Sequence, residues 1–455
     1  MALFQTSSGT SVRDGAGLSM RGASIGRWAA WLVIGAVICA AGTWLYANRV
    51  LFPYQYGDAA SLCRPRGNFS DLYPRWVGAR ELLLHGRDPY TMEVTREIQV
   101  GFYGRVLGPD SPGIGHSYQQ GFYYPVYIAF GLAPTLHLPF ASVQKGFSWV
   151  LVGLTLVMVP LWLRVLRWSV PRWGQAALII LSIGTLAVMQ GLKLQQITLV
   201  VAALLAAALA LLISDHQIPA GILLALATIK PQLVWLVLFW LTIWTLADWR
   251  RRYRWTVSFL LTMVILCAAS EGYLPHWIQR FWQAIREYRS YTGEMSATDE
   301  LVGALWGRAL EVSAIAVLTV ACWRERRQAA NSDAFAFTLS LVLAITILVV
   351  PSYGLYNQVL LIPALLIMLK DRQTIWQRSM TNRLLSVIVI SLICWPWLSG
   401  IVLAGLSFVL PGEIVERAWA VPLWTALQTP LAVSALMLLH YYQKTFAAPA
   451  RRGSS

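Results

Sequence analysis

Stretches of apolar residues long enough to cross a bilayer recur along the whole chain, and polar segments separate them. A membrane-spanning helix needs about 20 consecutive, mostly apolar residues. The apolar stretches occupy positions 28–46, 122–138, 143–163, 174–190, 195–213, 217–247, 255–270, 301–322, 335–350, 357–369, 384–410 and 421–442. If 217–247 forms one long span interrupted by Pro231, the pattern predicts an all-α polytopic membrane protein with about twelve transmembrane helices.

The basic residues orient this bundle. Lys and Arg concentrate at the ends of the apolar stretches, which is typical of loops on the cytoplasmic side. The clusters that we assign to the cytoplasm are Arg21 with Arg27, 248–254, 323–328, 370–383 and 444–452. We therefore predict a disordered cytoplasmic N-terminus over 1–27, a transmembrane domain over 28–443 and a cytoplasmic tail over 444–455.

The region 122–247 allows two arrangements. With twelve spans counted as above, the basic residues Arg164, Arg167 and Arg172 lie outside, against the charge rule. If 217–247 is split at Pro231 and 122–138 is re-entrant, the same residues lie inside. The sequence does not decide between these arrangements, so the side on which the 190–196 loop lies stays open.

Two polar segments are too long to be simple connections, and both are predicted to be extracytoplasmic: 47–121 and 271–300. Long loops of this kind usually carry function. In the first, Pro74 is suited to a helix start and Gly86 to a helix end. The apolar positions between them predict an amphipathic helix that lies along the membrane surface, with Asp71 just before its N-terminus. In the second, a stripe of large apolar side chains has helical spacing: Trp277, Phe281, Ile285 and Tyr288.

Composition supports a membrane protein and excludes several other classes. The 455 residues are 57% hydrophobic and only 13% charged, whereas soluble domains carry about 25% charged residues. The net charge of +15 follows the ends of the spans, and a nucleic-acid binder would instead need a basic soluble surface. The five cysteines and six histidines show no metal-ligand spacing, so we expect neither a metal site nor a cofactor.

One polar segment carries a family signature. Asp71 is followed by an aromatic and Ala-containing helix that ends in Gly86-Arg-Asp-Pro-Tyr90. Further motifs follow in order: Tyr123-Tyr-Pro125, the 190–196 segment, Lys230-Pro231, and the segment from Pro351 to Gln358. Together they resemble glycosyltransferase family 87, over residues 28 to about 370. Two positions depart from the family pattern: Asn357 follows Tyr356 where the family often has Asp, and Leu194-Gln195 replaces a Gly-Gln pair.

The resemblance implies a GT-C-type membrane enzyme that takes a sugar from a polyprenyl-phosphate carrier. It implies that Asp71 is the general base that removes a proton from the acceptor hydroxyl in an inverting displacement. Asp is also a common helix N-cap, so a purely structural role for Asp71 is the alternative. Lys230 interrupts an apolar segment, and we expect it to contact the donor phosphate, the alternative being a side chain that reaches to the interface. Other candidates for donor phosphate or sugar contacts are Lys193, Gln195, Gln196, Arg75, Tyr124, Tyr356 and Asn357.

The sequence thus predicts a multi-pass protein of a bacterial-type inner membrane that transfers mannose or another hexose or pentose. Its expected partners are a polyprenyl-phosphate sugar donor, a lipid-linked or polysaccharide acceptor, and membrane lipids, with no nucleic acid. The rival interpretation is a secondary transporter or a flippase for lipid-linked sugars. Transporters usually contain inverted repeats with paired broken helices, and no convincing repeat is present here.

Overall fold

The computed structural model describes residues 15–55, 70–107, 120–292, 295–351 and 354–445, and within these ranges all regular structure is helical. The α-helices are α1 (Gly15–Tyr46), α2 (Leu72–His85), α3 (Met92–Tyr103), α4 (Ile128–Leu132), α5 (Phe140–Val165), α6 (Arg172–Ile183), α7 (Leu186–Lys193), α8 (Ile197–Leu212), α9 (Gln217–Ala227), α10 (Trp235–Leu246), α11 (Trp249–Tyr273), α12 (Trp277–Thr292), α13 (Ala297–Val302), α14 (Ala304–Glu325), α15 (Asp333–Val349), α16 (Ile362–Lys370), α17 (Arg372–Arg378), α18 (Met380–Leu406), α19 (Gly412–Glu416) and α20 (Gln428–Thr445). Short 3-10 segments occur at Ala133–Thr135, Pro231–Leu233, Leu355–Leu361 and Val421–Leu423, and a π-helical turn at Ala47–Leu51. The all-α prediction is confirmed for this part of the chain, as expected where backbone groups must pair within their own segment.

Six helical stretches among the described residues are long and apolar enough to cross a membrane: Ala29–Gln55, Phe140–Val165, Trp249–Tyr273, Ala304–Glu325, Met380–Leu406 and Gly412–Thr445. The pair α6 and α7, bent by 59°, adds a seventh if it is one span. The other apolar helices are shorter, between 10 and 17 residues. On α11 large apolar side chains such as Leu261 and Val264 are exposed, which is the surface that a lipid environment covers. The chain is an integral membrane protein, and the count of about twelve crossings stays a prediction.

The core lies around α8 and α15. Along α15 every residue from Phe335 to Leu348 is buried, and α8 is buried along most of its length. α8 packs against α5 and α9, and α15 packs against α10, α14 and α20. Helices that are apolar on all sides belong in such a position.

Residues 217–247 form a hairpin and not one span, so the prediction of a single span is wrong. At the start of α9 the Gln217 side chain donates to the Arg251 carbonyl oxygen (2.8 Å). At the end of α10 the Trp244 carbonyl oxygen accepts from the Arg252 guanidinium (2.5 Å). Both ends therefore meet the beginning of α11, and the turn Thr228–Val234 lies at the far end. Pro231 allows this reversal because it cannot continue a helix from the preceding turn.

The stretch 122–138 does not form a helix long enough to cross a membrane either. It holds only α4 and a 3-10 turn, and both of its ends contact the first loop. The Tyr90 hydroxyl donates to the Tyr124 carbonyl oxygen (2.6 Å), and the Trp76 indole donates to the Thr135 carbonyl oxygen (3.4 Å). The apolar side chains of this stretch, such as Val126 and Ile128, are buried within the protein. Their apolar character reflects this tertiary burial.

One end of the bundle gathers the basic loops, and we call it the basic face. Arg167 donates to the Asn331 carbonyl oxygen (2.6 Å), and Lys370 donates to the Leu166 carbonyl oxygen (2.9 Å) and pairs with Asp333 (3.0 Å). Arg252 donates to the Arg326 carbonyl oxygen (2.7 Å). The Arg164–Arg167 cluster thus lies with the loops that the charge rule places in the cytoplasm.

The 190–196 loop lies at the opposite end, which we call the cavity face. Its Leu194 carbonyl oxygen accepts from the Asp71 backbone N–H (2.9 Å). Tyr73 packs edge-on against Phe140, at the start of α5, with 4.8 Å between the ring centroids. Since α5 runs from this contact to Arg164 at the basic face, it separates the two faces by its full length. The arrangement with a re-entrant 122–138 and a divided 217–247 is therefore the one that the fold adopts.

The prediction for the N-terminal segment needs correction. Residues 15–27, predicted to be disordered, are helical, because α1 begins at Gly15; residues 1–14 lie outside the described ranges. α2 ends at Gly86 as predicted, with a left-handed φ of 65°. Buried residues lie around most of α2, while Leu84 and His85 near its end are exposed. The protein thus packs around much of this helix, and its position along the membrane surface stays a prediction. Phe122, for example, packs so closely on α2 that a Cβ at Gly78 would lie 2.2 Å from its ring.

Candidate active site

A cavity of about 790 Å³ opens at the cavity face. We call it the main cavity. Its walls come from the start of α2, the segment 120–127, the turn of the α9–α10 hairpin, α12 and the segment around Tyr356. The apolar stripe predicted on the second polar segment faces it: Trp277, Phe281, Ile285 and Tyr288 all line the cavity. The Arg280–Asp88 ion pair joins α12 to the first polar segment beside it.

Asp71 lines this cavity with its side chain turned away from the helix that follows. It occupies the N-cap position of α2 but makes no side-chain capping bond. Its carboxylate instead accepts a hydrogen bond from the Gln196 amide, at the start of α8. Burial raises the pKa of Asp71 above the usual carboxyl range, while Arg75, Lys230 and the Gln196 hydrogen bond act in the opposite direction. Because the Asp71 carboxylate does not cap α2, it can act on a ligand in the main cavity.

Arg75 lies one turn into α2 and also lines the cavity. Its guanidinium stacks over the Tyr124 ring at 4.3 Å from the ring centroid, a cation–π contact. The Arg75 Nε atom is buried without a hydrogen-bond partner in the described structure. Buried donors are rarely left unpaired. Arg75 therefore places positive charge and an available donor close to Asp71.

Lys230 lies at the turn of the α9–α10 hairpin and is only 5% exposed. Its ammonium donates to the Thr198 hydroxyl (2.6 Å) and the Asn357 side-chain oxygen (3.3 Å) and lies over the Tyr356 ring at 4.8 Å. None of these three groups carries a negative charge. Because residue 357 is an Asn and not an Asp, the groups in contact with the Lys230 ammonium do not neutralise its charge.

Seven of the predicted site residues line the main cavity: Asp71, Arg75, Tyr124, Gln196, Lys230, Tyr356 and Asn357. The other two, Lys193 and Gln195, do not. Lys193 bonds to Gln55 and lies over the Phe52 ring. Gln195 has a positive φ of 50° and its amide binds Gln144, Ser148 and backbone oxygens of its own turn. Gln195 therefore stabilises the 190–196 loop.

Sequence reasoning missed Thr198. Its hydroxyl accepts from Lys230 and donates to the Asn357 side-chain oxygen (3.0 Å). The three residues are distant in sequence and meet only because α8, the hairpin turn and the 355–361 segment converge at the cavity face. A threonine near the start of an apolar helix carries no local signal of such a role.

The sequence profile of glycosyltransferase family 87 matches residues 122–351. The matched region, about half of the chain, contributes Tyr124, Gln196 and Lys230 to the main cavity. No curated protein and no solved structure matches the chain significantly.

Proposed function

Because the chain belongs to glycosyltransferase family 87, we propose that it moves a hexose or pentose from a polyprenyl-phosphate donor to an extracytoplasmic lipid-linked or polysaccharide acceptor. The observation that carries this proposal is one cavity that holds a carboxylate, Asp71, beside two cationic side chains, Arg75 and Lys230. Proton removal and stabilisation of a departing phosphate are the two tasks of such a transfer.

In the proposed reaction Asp71 removes the proton from the acceptor hydroxyl as its oxygen attacks the anomeric carbon of the donor sugar. The bond between that carbon and the phosphate oxygen breaks, and the polyprenyl phosphate leaves with the electron pair. One such displacement inverts the anomeric centre, so a β-linked donor yields an α-linked product. Lys230 and Arg75 stabilise the negative charge that develops on the phosphate.

Gln196 has a different role in this proposal from the sugar or phosphate contact predicted for it. Its amide nitrogen holds the Asp71 carboxylate, while its side-chain oxygen is buried without a partner in the described structure. The residue is 2% exposed, so its orientation is fixed by packing. Gln196 therefore orients the base and leaves an acceptor for a substrate hydroxyl. Tyr124, Tyr356 and Asn357 complete the proposed donor site, and Lys193 and Gln195 are not part of it.

A polyprenyl carrier requires access from the lipid. Trp235 and Ile278 line the main cavity, and they are 42% and 47% exposed on the surface of the bundle. This apolar edge supports a lateral entrance for the lipid chain.

We further propose a GT-C-type bundle with twelve crossings in a bacterial-type inner membrane. The crossings are made by the six long stretches, the bent pair α6 and α7, and the five shorter apolar helices.

The rival transporter interpretation predicts a site midway between the two faces. The charged cavity here lies at one face, beside the long polar segments, and the family membership concerns sugar transfer. Both observations favour the enzyme.

The test is Asp71→Asn in the purified chain, reconstituted with radiolabelled polyprenyl-phosphate mannose, glucose and arabinose and a lipid extract as acceptor source. Asn keeps the shape of Asp but cannot take the proton, so transfer should fall by roughly 10²–10⁴. Thermal unfolding should be unchanged within a few degrees, and Asp215→Asn, at the end of α8 towards the basic face, is the matched control. Transfer by Asp71→Asn at the wild-type rate would refute the proposed base.

A further inference from the structure

A second cavity of about 230 Å³ adjoins the main cavity. We call it the side cavity. α3 and α12 form its walls together with the segment around Phe122. Both helices belong to the polar segments predicted to be extracytoplasmic, so the side cavity borders the aqueous side.

Tyr123 separates the two cavities and lines both of them. Its ring packs against Tyr288, with 4.9 Å between centroids. Gly121 keeps the ring in this position, because a Cβ at residue 121 would lie 2.7 Å from the ring and hydroxyl of Tyr123. A ligand in the side cavity therefore lies one aromatic ring away from the cavity that holds Asp71.

The chemistry of the side cavity differs from that of the main cavity. The main cavity is lined by three cationic side chains, Arg75, Lys230 and Arg289, as an anionic phosphate requires. Among the described residues no lysine or arginine lines the side cavity. Besides the tyrosines, its polar side chains are a hydroxyl, an amide and a carboxylate, from Thr95, Gln283 and Glu287. A phosphate would meet repulsion from Glu287.

The aromatic lining of the side cavity suits a ligand ring that has an apolar C–H face and carries several hydroxyl groups. Tyr90 and Phe122 lie edge to face with 5.3 Å between their centroids, and both line the side cavity. Small-ligand sites combine such rings with a few placed donors and acceptors. A carboxylate and an amide, here hydrogen-bonded to each other across one helical turn (3.3 Å), together offer acceptors and donors to sugar hydroxyls.

We propose that the side cavity binds a neutral sugar ring of the acceptor, so that the acceptor is a glycan or a glycosylated lipid. The role of this sugar as the acceptor rests on the proposed function, but the binding of a neutral sugar in the side cavity does not depend on that function. The sugar sits between α3 and α12 and presents a hydroxyl past Tyr123 towards the main cavity. The donor phosphate occupies the main cavity, where the cations are.

Binding is measured on the purified full-length protein without any donor, by ligand-observed NMR with methyl mannopyranoside, methyl glucopyranoside and glycerol phosphate as probes. We expect at least one neutral glycoside to bind the wild type and glycerol phosphate not to compete with it. Glu287→Gln and Gln283→Ala should each raise its dissociation constant about fivefold, as expected for one lost or weakened hydrogen bond. Gln279→Ala, an exposed residue of α12 that lines neither cavity, is the matched control.

Absence of binding by either glycoside, or equal affinity of wild type and both side-cavity variants, would overturn the proposal. Ala284→Phe fills the side cavity and should abolish binding of the glycoside. If Ala284→Phe does not fold, the milder Gln283→Ala tests the same site through its effect on the dissociation constant. In transfer assays the same variants should raise KM for the acceptor and leave KM for the donor unchanged. If the wild type shows no transfer but the glycoside binding responds as expected, the proposed function fails and the sugar site stands.

Discussion

At the scale of single residues, the chemistry of the main cavity depends on which charged side chains have a partner of opposite charge. Asp71 is surrounded by groups that favour its ionised form, namely Gln196, Arg75 and Lys230. Lys230 is held by neutral oxygens, those of Thr198 and Asn357. An Asp at position 357 would neutralise much of the lysine charge. The Asn at this position therefore leaves the charge of Lys230 available to the phosphate of the proposed donor.

Replacing Lys230 by Met tests that charge. Met keeps the length and most of the volume of the buried side chain but removes the donor to a phosphate. We expect the KM for a polyprenyl-phosphate sugar to rise and kcat to fall by roughly 10²–10³, typical of a lost charge-stabilising donor. Lys145→Met, an exposed position on α5 away from the cavity, should behave as the wild type. An unchanged donor KM in Lys230→Met would contradict the phosphate contact.

The raised pKa of Asp71 predicts a pH dependence. The base is active when ionised, so transfer should decline as the pH falls through the Asp71 pKa, which lies above the ordinary carboxyl value of about 3.9. Since the folded protein holds this proton more tightly than the unfolded chain, Asp71 also makes stability fall as the pH rises through the same window. Gln196→Leu removes a hydrogen bond to the ionised form and should move the acidic limb of kcat/KM to higher pH. If the acidic limb of kcat/KM lies at the same pH in the wild type and in Gln196→Leu, Gln196 does not stabilise the ionised form of Asp71.

At the scale of elements, the α9–α10 hairpin carries Lys230 to the cavity face. α9 fits between α8 and α11, and the close approach to α11 depends on Gly221. A Cβ at this position would lie 2.0 Å from the Ser258 hydroxyl oxygen and 2.2 Å from the Trp255 carbonyl oxygen. Backbone atoms of a packed helix cannot move aside cheaply. The glycine therefore sets the distance between the two helices and with it the place of the hairpin turn.

Gly221→Ala should consequently push α9 away from α11. Overpacking of this kind costs about 1–3 kcal/mol, so the unfolding temperature in detergent should fall, and transfer should fall with it as Lys230 moves. Gly272→Ala is the matched control, because a Cβ at position 272 meets nothing within 4 Å. That variant should be neutral or slightly stabilised, since Ala is the better helix former. Equal stability of both variants would show that the helices tolerate the extra methyl group.

At the scale of the whole molecule, the two ends of the bundle differ in chemistry. The basic face collects Arg167, Arg252 and Lys370 against backbone carbonyl oxygens at the ends of neighbouring helices. The cavity face holds the long polar segments and the main cavity. The excess of positive charge on one face predicts the orientation of the protein in the membrane, and with this orientation we expect Asp71 to lie outside the cytoplasm.

Single cysteines in a background without the five natural ones test this orientation. Cysteines at Ser111, which lies outside the described residues, and at Lys145, near the start of α5, should react with a membrane-impermeant maleimide in intact cells. Cysteines at Ser214 and Ser332, at the basic face, should react only after the cells are permeabilised. Labelling of the basic-face positions alone would invert the orientation and place Asp71 in the cytoplasm.

The sequence alone determined the class and the family, and it predicted seven residues that line the main cavity. Hydrophobic length and charge asymmetry are local quantities, so without a fold they indicated a bundle of membrane helices with basic loops gathered on one side. Asp71 was predicted from its place in the motif that resembles the family, and Lys230 was predicted because a cation within an apolar segment is unusual in itself. The end of α2 at Gly86 was predictable from the sequence, because glycine adopts the left-handed conformation at a helix end without steric cost.

Only the tertiary structure decided which apolar stretches cross the bundle and which residues meet. A stretch such as 122–138 is apolar because other parts of the protein bury it, and hydropathy does not distinguish burial in protein from burial in lipid. Whether 217–247 runs straight or turns back at Pro231 depends on the partners of its two ends, Arg251 and Arg252. The contacts of Gln196 with Asp71 and of Thr198 with Lys230 join segments far apart in sequence. Local patterns carry no information on such pairs, because packing between distant helices creates them.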